Sequence, residues 1–166
     1  MKKVEGGVTA AKGFQAAGCA AGIKKEGIMD MAMIYSETPC HTAGTFTTNV
    51  VKAAPVKWDQ DIVHHYDGAQ VVVCNSGIAN ACTGEEGMGY CRATAEEAAR
   101  MLHVPETAVL VASTGVIGKQ LPMDRIKGGI AKLALMLEDT REAAALAARA
   151  IMTTGTPPKE TAGSLE

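Results

Sequence analysis

Ala69-Gln70-Val71-Val72-Val73-Cys74, followed at once by Asn75-Ser76-Gly77, decides the fold class of this sequence. A short apolar run between Gly68 and an Asn-Ser-Gly turn predicts a strand buried on both faces. Val109-Leu110-Val111-Ala112 repeats the pattern and ends in the Gly-rich turn Ser113-Thr114-Gly115-Val116-Ile117-Gly118. Between the two, Tyr90, Ala93, Thr94, Ala98, Met101 and Leu102 recur at helical spacing, with Glu96, Glu97 and Arg100 on the outer face. Asn80 to Gly84 leads into that helix and Pro105 closes it.

Working outward, Leu121-Pro122 opens a second helix, with Pro at the first helical position and Asp124 near the positive end of its dipole. It is expected to run to about Leu137. Asp139 followed by Glu142 predicts a capping-box-like start for a third helix, Thr140 to about Met152. Beyond Thr153 the chain reads as turn or extended. On the other side, Met29 to Ser36 partly alternates and predicts a strand. Gly44 to Asn49, with β-branched and aromatic residues, predicts another. Pro55 to Tyr66 suggests a strand running into a short helix. Gly6 to Gly27, rich in Gly and Ala, suggests extended chain with turns and close backbone approaches. Strands, then helix, strand and two helices predict an α/β sandwich with mixed strand pairing, not a purely doubly wound sheet. Ser164-Leu165-Glu166 offers neither a helix stop nor a folded cap, so the expectation is a chain cut from something longer.

The 166 residues are 47% hydrophobic and 20% charged, the range of ordinary globular chains. With aromatics at 4%, the core must come from Ala, Val, Ile, Leu and Met. A net charge of -2 provides no basic field for nucleic acid or anionic lipid. No apolar run approaches the ~20 residues that span a bilayer, and no apolar stretch follows Lys2-Lys3 as in a secretory signal. A soluble, cytoplasmic protein without membrane or nucleic-acid partners is expected. Its five cysteines (Cys19, Cys40, Cys74, Cys82, Cys91) show no CxxC pair or metal-finger spacing, which fits reduced structural thiols and no metal. Cys40-His41 could be a nucleophile with a neighbour or two ligands, but strand neighbours point apart. His64-His65 fits a solvated helix end.

The Ser-Thr-Gly-x-x-Gly turn after a buried strand places a hydroxyl and backbone N–H groups at the carboxyl edge of a sheet. Such a turn can stabilise an oxyanion or bind phosphate, or it can simply be a tight connection. The phosphate-loop reading fails on spacing, because Ser113 stands where the first Gly belongs and Gln120 where a magnesium-binding hydroxyl belongs. Thr153, Thr154 and Thr156 straddle a helix end, where hydroxyls can cap or bind a polar ligand.

Gly44-Thr45-Phe46-Thr47-Thr48-Asn49, Ala53-Ala54-Pro55-Val56, Asn75 to Gly84, Ala93-Thr94-Ala95, Ser113 to Gly118, Leu121-Pro122-Met123 and Ala150 to Thr154 occur in this order. Together they resemble the bifunctional ornithine acetyltransferase/glutamate N-acetyltransferase family, over nearly the whole chain and in its N-terminal, α-chain portion. The resemblance implies an α/β sandwich of that family's own type, completed by a β chain cut from the same precursor. It implies an N-terminal threonine nucleophile on that β chain, which carries acetyl from N-acetylornithine to glutamate. No cofactor is implied beyond acetyl-CoA as a further acetyl donor, and an α2β2 heterotetramer is expected.

Residue by residue, Thr114 (hydroxyl) and Gly115 (backbone N–H) match the family's oxyanion hole, and Thr153 matches its substrate-binding threonine, with Thr154 beside it. Gly155 stands where the family's Thr-Thr-Asp-Thr segment has a carboxylate. The nucleophile segment Met-Ala-Thr-Met-Leu would lie beyond Glu166, and Thr161 lacks its context, so residues 1–166 alone are expected to be inactive. Two other readings stay open: an N-terminal-nucleophile amidase or peptidase, and a non-catalytic assembly subunit.

Overall fold

The computed structural model describes residues 2–165. In chain order the elements are β1 (Lys2–Val4), β2 (Phe14–Cys19), β3 (Met31–Cys40), α1 (Ala54–His65), β4 (Ala69–Ile78) and α2 (Glu86–Leu102). They continue with β5 (Val109–Val116), α3 (Met123–Leu135), α4 (Arg141–Ala150) and β6 (Ala162–Ser164). The main sheet has the order β2-β3-β4-β5, antiparallel across its first two pairings and parallel between β4 and β5. This is the mixed-sheet α/β architecture that the sequence predicts.

Alternation along the strands builds the core. Ala17, Cys19, Met31, Met33, Val71, Val73 and Val109 turn to one face and pack with Ala95 and Ala98 of α2 and Ile126, Ile130 and Leu133 of α3. Burying each of those three large α3 side chains stabilises the fold by roughly 1.5–3 kcal/mol. α4 packs on the other face, against β2 and β3. There Ala16, Ala32, Ala147 and Ala150 form a second, small-residue cluster. A Cβ on Gly18 would run into the Leu146 carbonyl, one of the close approaches expected between Gly6 and Gly27.

Among the described residues no helix covers β4 and β5 on that second face. Val72, Cys74 and Leu110 are only half-buried and Ala112, Thr114 and Val116 are exposed. The expectation of burial on both faces is therefore corrected: α4 is ten residues long and reaches only half the sheet.

Other expectations change for local reasons. Gly44 to Asn49 forms no strand, because both sides of β3 are already taken by β2 and β4. Its polar side chains bond locally instead: Thr47 Oγ1 accepts from the Asn49 N–H at 3.2 Å, and Asn49 Oδ1 from the Val51 N–H at 3.0 Å. Pro55 to Tyr66 holds no strand; Pro55 stands in the first turn of α1, and Pro55 and Ile62 are buried on its inner face beside the half-buried Trp58. Asn75-Ser76-Gly77 is not a turn but the continuation of β4 along β5. Thr140, not Asp139, caps α4 by accepting from the Ala143 N–H at 3.1 Å. Pro122 sits just before α3 instead of inside it. Ser164, read with Leu165 and Glu166 as offering no folded cap, ends β6, which pairs with β1 as a two-stranded ribbon.

β5 is an edge strand, and α1 covers the start of its edge. Trp58 Nε1 donates to the Val109 carbonyl at 3.0 Å, and Asp59 Oδ1 accepts from the Val111 N–H at 2.9 Å. Burial raises the Asp59 carboxyl from 3.8 to about 6, and the Val111 N–H opposes the shift. A carboxyl with a raised folded-state pKa holds its proton more firmly in the folded chain. Its contribution to stability is fully present below the unfolded value and is lost as pH rises through about 6. Asp59→Asn keeps the acceptor for Val111 and removes the titration. Its thermal midpoint relative to wild type should therefore climb between pH 4 and pH 7, by the equivalent of about 1 kcal/mol after discounting for solvent screening. A pH-independent difference would show that the carboxyl ionises freely.

Candidate active site at the carboxyl end of the sheet

β4 and β5 run parallel, so their carboxyl ends share one edge, the place where open α/β sheets take ligands. Ser76 pairs with Thr114 and Gly77 with Gly115. Gly115 has φ +133°, and a Cβ there would collide with the Gly77 backbone, so only glycine fits. Thr114 is exposed on the uncovered face. Among the described residues nothing hydrogen-bonds its hydroxyl. The Val109 carbonyl and Val111 N–H point off the free edge of β5 to α1. Strand alternation directs the Gly115 N–H to that same edge. A hydroxyl and an N–H thus stand next to each other where the sheet meets solvent.

A web of side chains fixes this strand end from beneath. Ser113 Oγ donates to Asn75 Oδ1 at 2.6 Å and accepts from the Asn80 N–H at 3.0 Å. Asn75 Nδ2 donates to the Ile78 carbonyl at 2.8 Å, and Thr83 Oγ1 to Asn80 Oδ1 at 2.7 Å. These bonds explain why Asn-Ser-Gly and Asn-Ala-Cys-Thr-Gly occur together: satisfied buried polar groups hold one geometry.

Thr153 follows the end of α4 and is exposed. The helix end is closed by the Ile151 and Met152 N–H groups on earlier carbonyls, so the threonine hydroxyls are not spent on capping. Thr153 and Thr154 line a cleft of about 390 Å³ with Ile151, Met152 and Lys159. Ser76 Oγ donates to the Ala150 carbonyl at 2.5 Å, which ties the end of α4 to the register partner of Thr114. Thr114, Gly115 and the Thr153 segment therefore belong to one end of the sheet.

The sequence reading missed two residues here, Asp30 and Lys24. Asp30 is wholly buried. Its carboxylate accepts from the N–H groups of Ala21 (2.7 Å), Ile23 (2.6 Å) and Lys24 (2.9 Å), which folds the loop after β2 against the sheet. An acid between Met29 and Met31 at a strand start was the available signal.

The remaining candidates lie elsewhere. Cys40 Sγ donates to Ser36 Oγ at 3.1 Å at the far end of β3. His65 contacts Asp61 at 2.9 Å in the exposed last turn of α1. Burial pushes the thiols of Cys19 and Cys74 up to about 11 and that of Cys91 to about 12, which makes them inert packing groups. Among the described residues no group of His, Cys, Asp and Glu could hold a metal. No helix among them is long and apolar enough to cross a membrane.

Comparison with known proteins identifies the family. The family model matches residues 15–166, and the chain belongs to the ArgJ family. An arginine biosynthesis bifunctional protein from Symbiobacterium thermophilum is 49% identical across the whole chain, which covers 41% of that protein. One from Thermosynechococcus vestitus is 45% identical over 97% of the chain and is covered to 38%. The chain thus spans about two fifths of the length of these curated relatives. The crystal structure of the Bacillus halodurans protein superposes with a TM-score of 0.88 at 43% identity, covering 93% of this chain and 80% of that one. Ornithine acetyltransferase from Mycobacterium tuberculosis, solved in complex with ornithine, gives a TM-score of 0.89 at 42% identity, covering 94% and 84%.

Proposed function

We propose that this chain is the α portion of an ornithine acetyltransferase, which moves acetyl from N-acetylornithine to glutamate in the cytoplasm, with acetyl-CoA as a further donor. The observation that carries this reading is the unbonded Thr114 hydroxyl beside the outward Gly115 N–H, at an exposed sheet end in a family that acts in arginine biosynthesis. Attack on the acetyl carbonyl creates a tetrahedral oxygen, and these two donors bind it. The same pair serves again when the acetyl-enzyme is broken down by glutamate. Thr153, across the sheet end, binds the amino-acid part of the donor, consistent with the ornithine complex of the Mycobacterium tuberculosis relative.

The nucleophile is a threonine on a β chain from the same precursor, and two such pairs form an α2β2 assembly. The uncovered face of β4 and β5 supports a further polypeptide: Val116 and the adjoining Ile117 are 62% and 63% exposed. Residues 1–166 expressed alone should therefore bind a hydrophobic dye strongly or aggregate. A monodisperse monomer with cooperative unfolding and no dye binding would contradict the missing partner.

The function itself is tested by assaying the full-length enzyme with labelled N-acetylornithine in the presence of glutamate. Label should pass to glutamate. Release of free acetate without transfer would favour an amidase of the same fold.

A further inference from the structure

Lys24 bridges the two halves of the proposed site, and no step of the reaction described above uses it. Its Nζ donates to the Met152 carbonyl at 2.6 Å and to the Met29 carbonyl at 3.2 Å. Its stem lies against Gly77, where a Cβ would sit 2.9 Å from Lys24 Cγ. Gly77 in turn is packed on Gly115. One side chain thus touches the strand beside the oxyanion turn and holds the carbonyl next to Thr153. Its own backbone N–H is clamped by the buried Asp30 carboxylate at 2.9 Å, so the bridge starts from a fixed point.

We infer that Lys24 is a positioning residue, whose ammonium holds the Met152–Thr153 segment at a set distance from the Thr114–Gly115 turn. The inference rests on the assignment of Thr153 to donor binding. Among the described residues the end of α4 has one other hydrogen bond to the sheet end, from Ser76 to the carbonyl of Ala150, the last helical residue. From Thr153 to Thr161 the chain is exposed and without helix or strand, so its path depends on what grips the carbonyls at its start. A charge-assisted hydrogen bond from a half-buried ammonium is strong enough to choose one path. Desolvation lowers the pKa of Lys24, and Asp30 opposes that shift.

The test is a double-mutant cycle in the full-length enzyme. Lys24→Met keeps the stem against Gly77 and removes the donor, and Thr153→Val removes the ligand contact. Lys24→Met should raise KM for the acetylated donor by about tenfold, the scale of one charged hydrogen bond. kcat should change less than about threefold, as for a lost uniform binding contact. Lys24→Arg should restore most of the affinity. In the Thr153→Val background, Lys24→Met should add little, because it acts through Thr153. Additive penalties, or a Lys24→Met enzyme with unchanged KM beside a weakened Thr153→Val, would overturn the positioning role alone. An unchanged KM in Thr153→Val would overturn the binding assignment and the inference with it. If Lys24→Met fails to fold, Lys24→Gln carries the same cycle with the same expected and contrary outcomes.

Discussion

Thr114→Val should lower the turnover of the full-length enzyme by roughly 10²–10³-fold, the usual cost of one oxyanion donor. The exchange keeps the β-branched shape that suits a strand, and Thr114 is exposed, so no core packing is lost. The hydroxyl holds no hydrogen bond among the described residues that its removal would break. Thermal stability should therefore stay close to wild type. Both the formation and the breakdown of the acetyl-enzyme should slow, since each passes through an oxyanion. Pre-steady-state measurement of the two half-reactions checks this. Normal turnover, or loss in one half-reaction only, would show that the turn is a structural connection.

Gly115→Ala should have the larger total effect and a different signature. The substitution keeps the N–H, so a purely chemical account would predict little change. Geometry predicts otherwise: φ is +133° and the new Cβ would strike the Gly77 backbone. Left-handed strain and the clash together should cost at least about 2 kcal/mol of stability. Because Gly77 cannot yield without moving Lys24, the strand end shifts and the N–H leaves its place. Turnover should fall by about 10³-fold or more, together with a lower thermal midpoint. An Ala variant with wild-type stability and turnover would mean that the strand pairing at this end is looser than described.

The parts of the molecule legible in the sequence are those where one local rule decides the outcome. The Val-rich runs of β4 and β5 read as strands and the spacing of α2 as an amphipathic helix, and all three are present, with one face of the strands buried and the other left uncovered. Thr114, Gly115 and Thr153 were singled out through the family resemblance, and they lie at one sheet end through contacts that spacing could not reveal. Gly44 to Asn49 misled because strand propensity describes a residue's fit to a sheet, whereas pairing requires a neighbouring strand with an open side, and β3, which it follows, is flanked on both sides. Of the face expected for α2, Thr94 and Ala98 are buried and Tyr90, Met101 and Leu102 pack against the core, Ala93 is half-buried, and Gly87, Cys91, Ala95 and Ala99 widen the buried face. Lys24 and Asp30 were passed over because a lysine in a Gly-rich stretch reads as solvated. What distinguishes them is a pair of carbonyls and a cradle of amides supplied by distant segments.

The central claim is that this chain supplies oxyanion donors while another chain carries the acetyl group. Intact mass measurement of the full-length enzyme, quenched shortly after mixing with N-acetylornithine, tests it most directly. The account predicts two polypeptides, one of them beginning with threonine and heavier by one acetyl group, with residues 1–166 unmodified. Acetyl found on residues 1–166, or a single uncleaved chain that turns over at full rate, would contradict it.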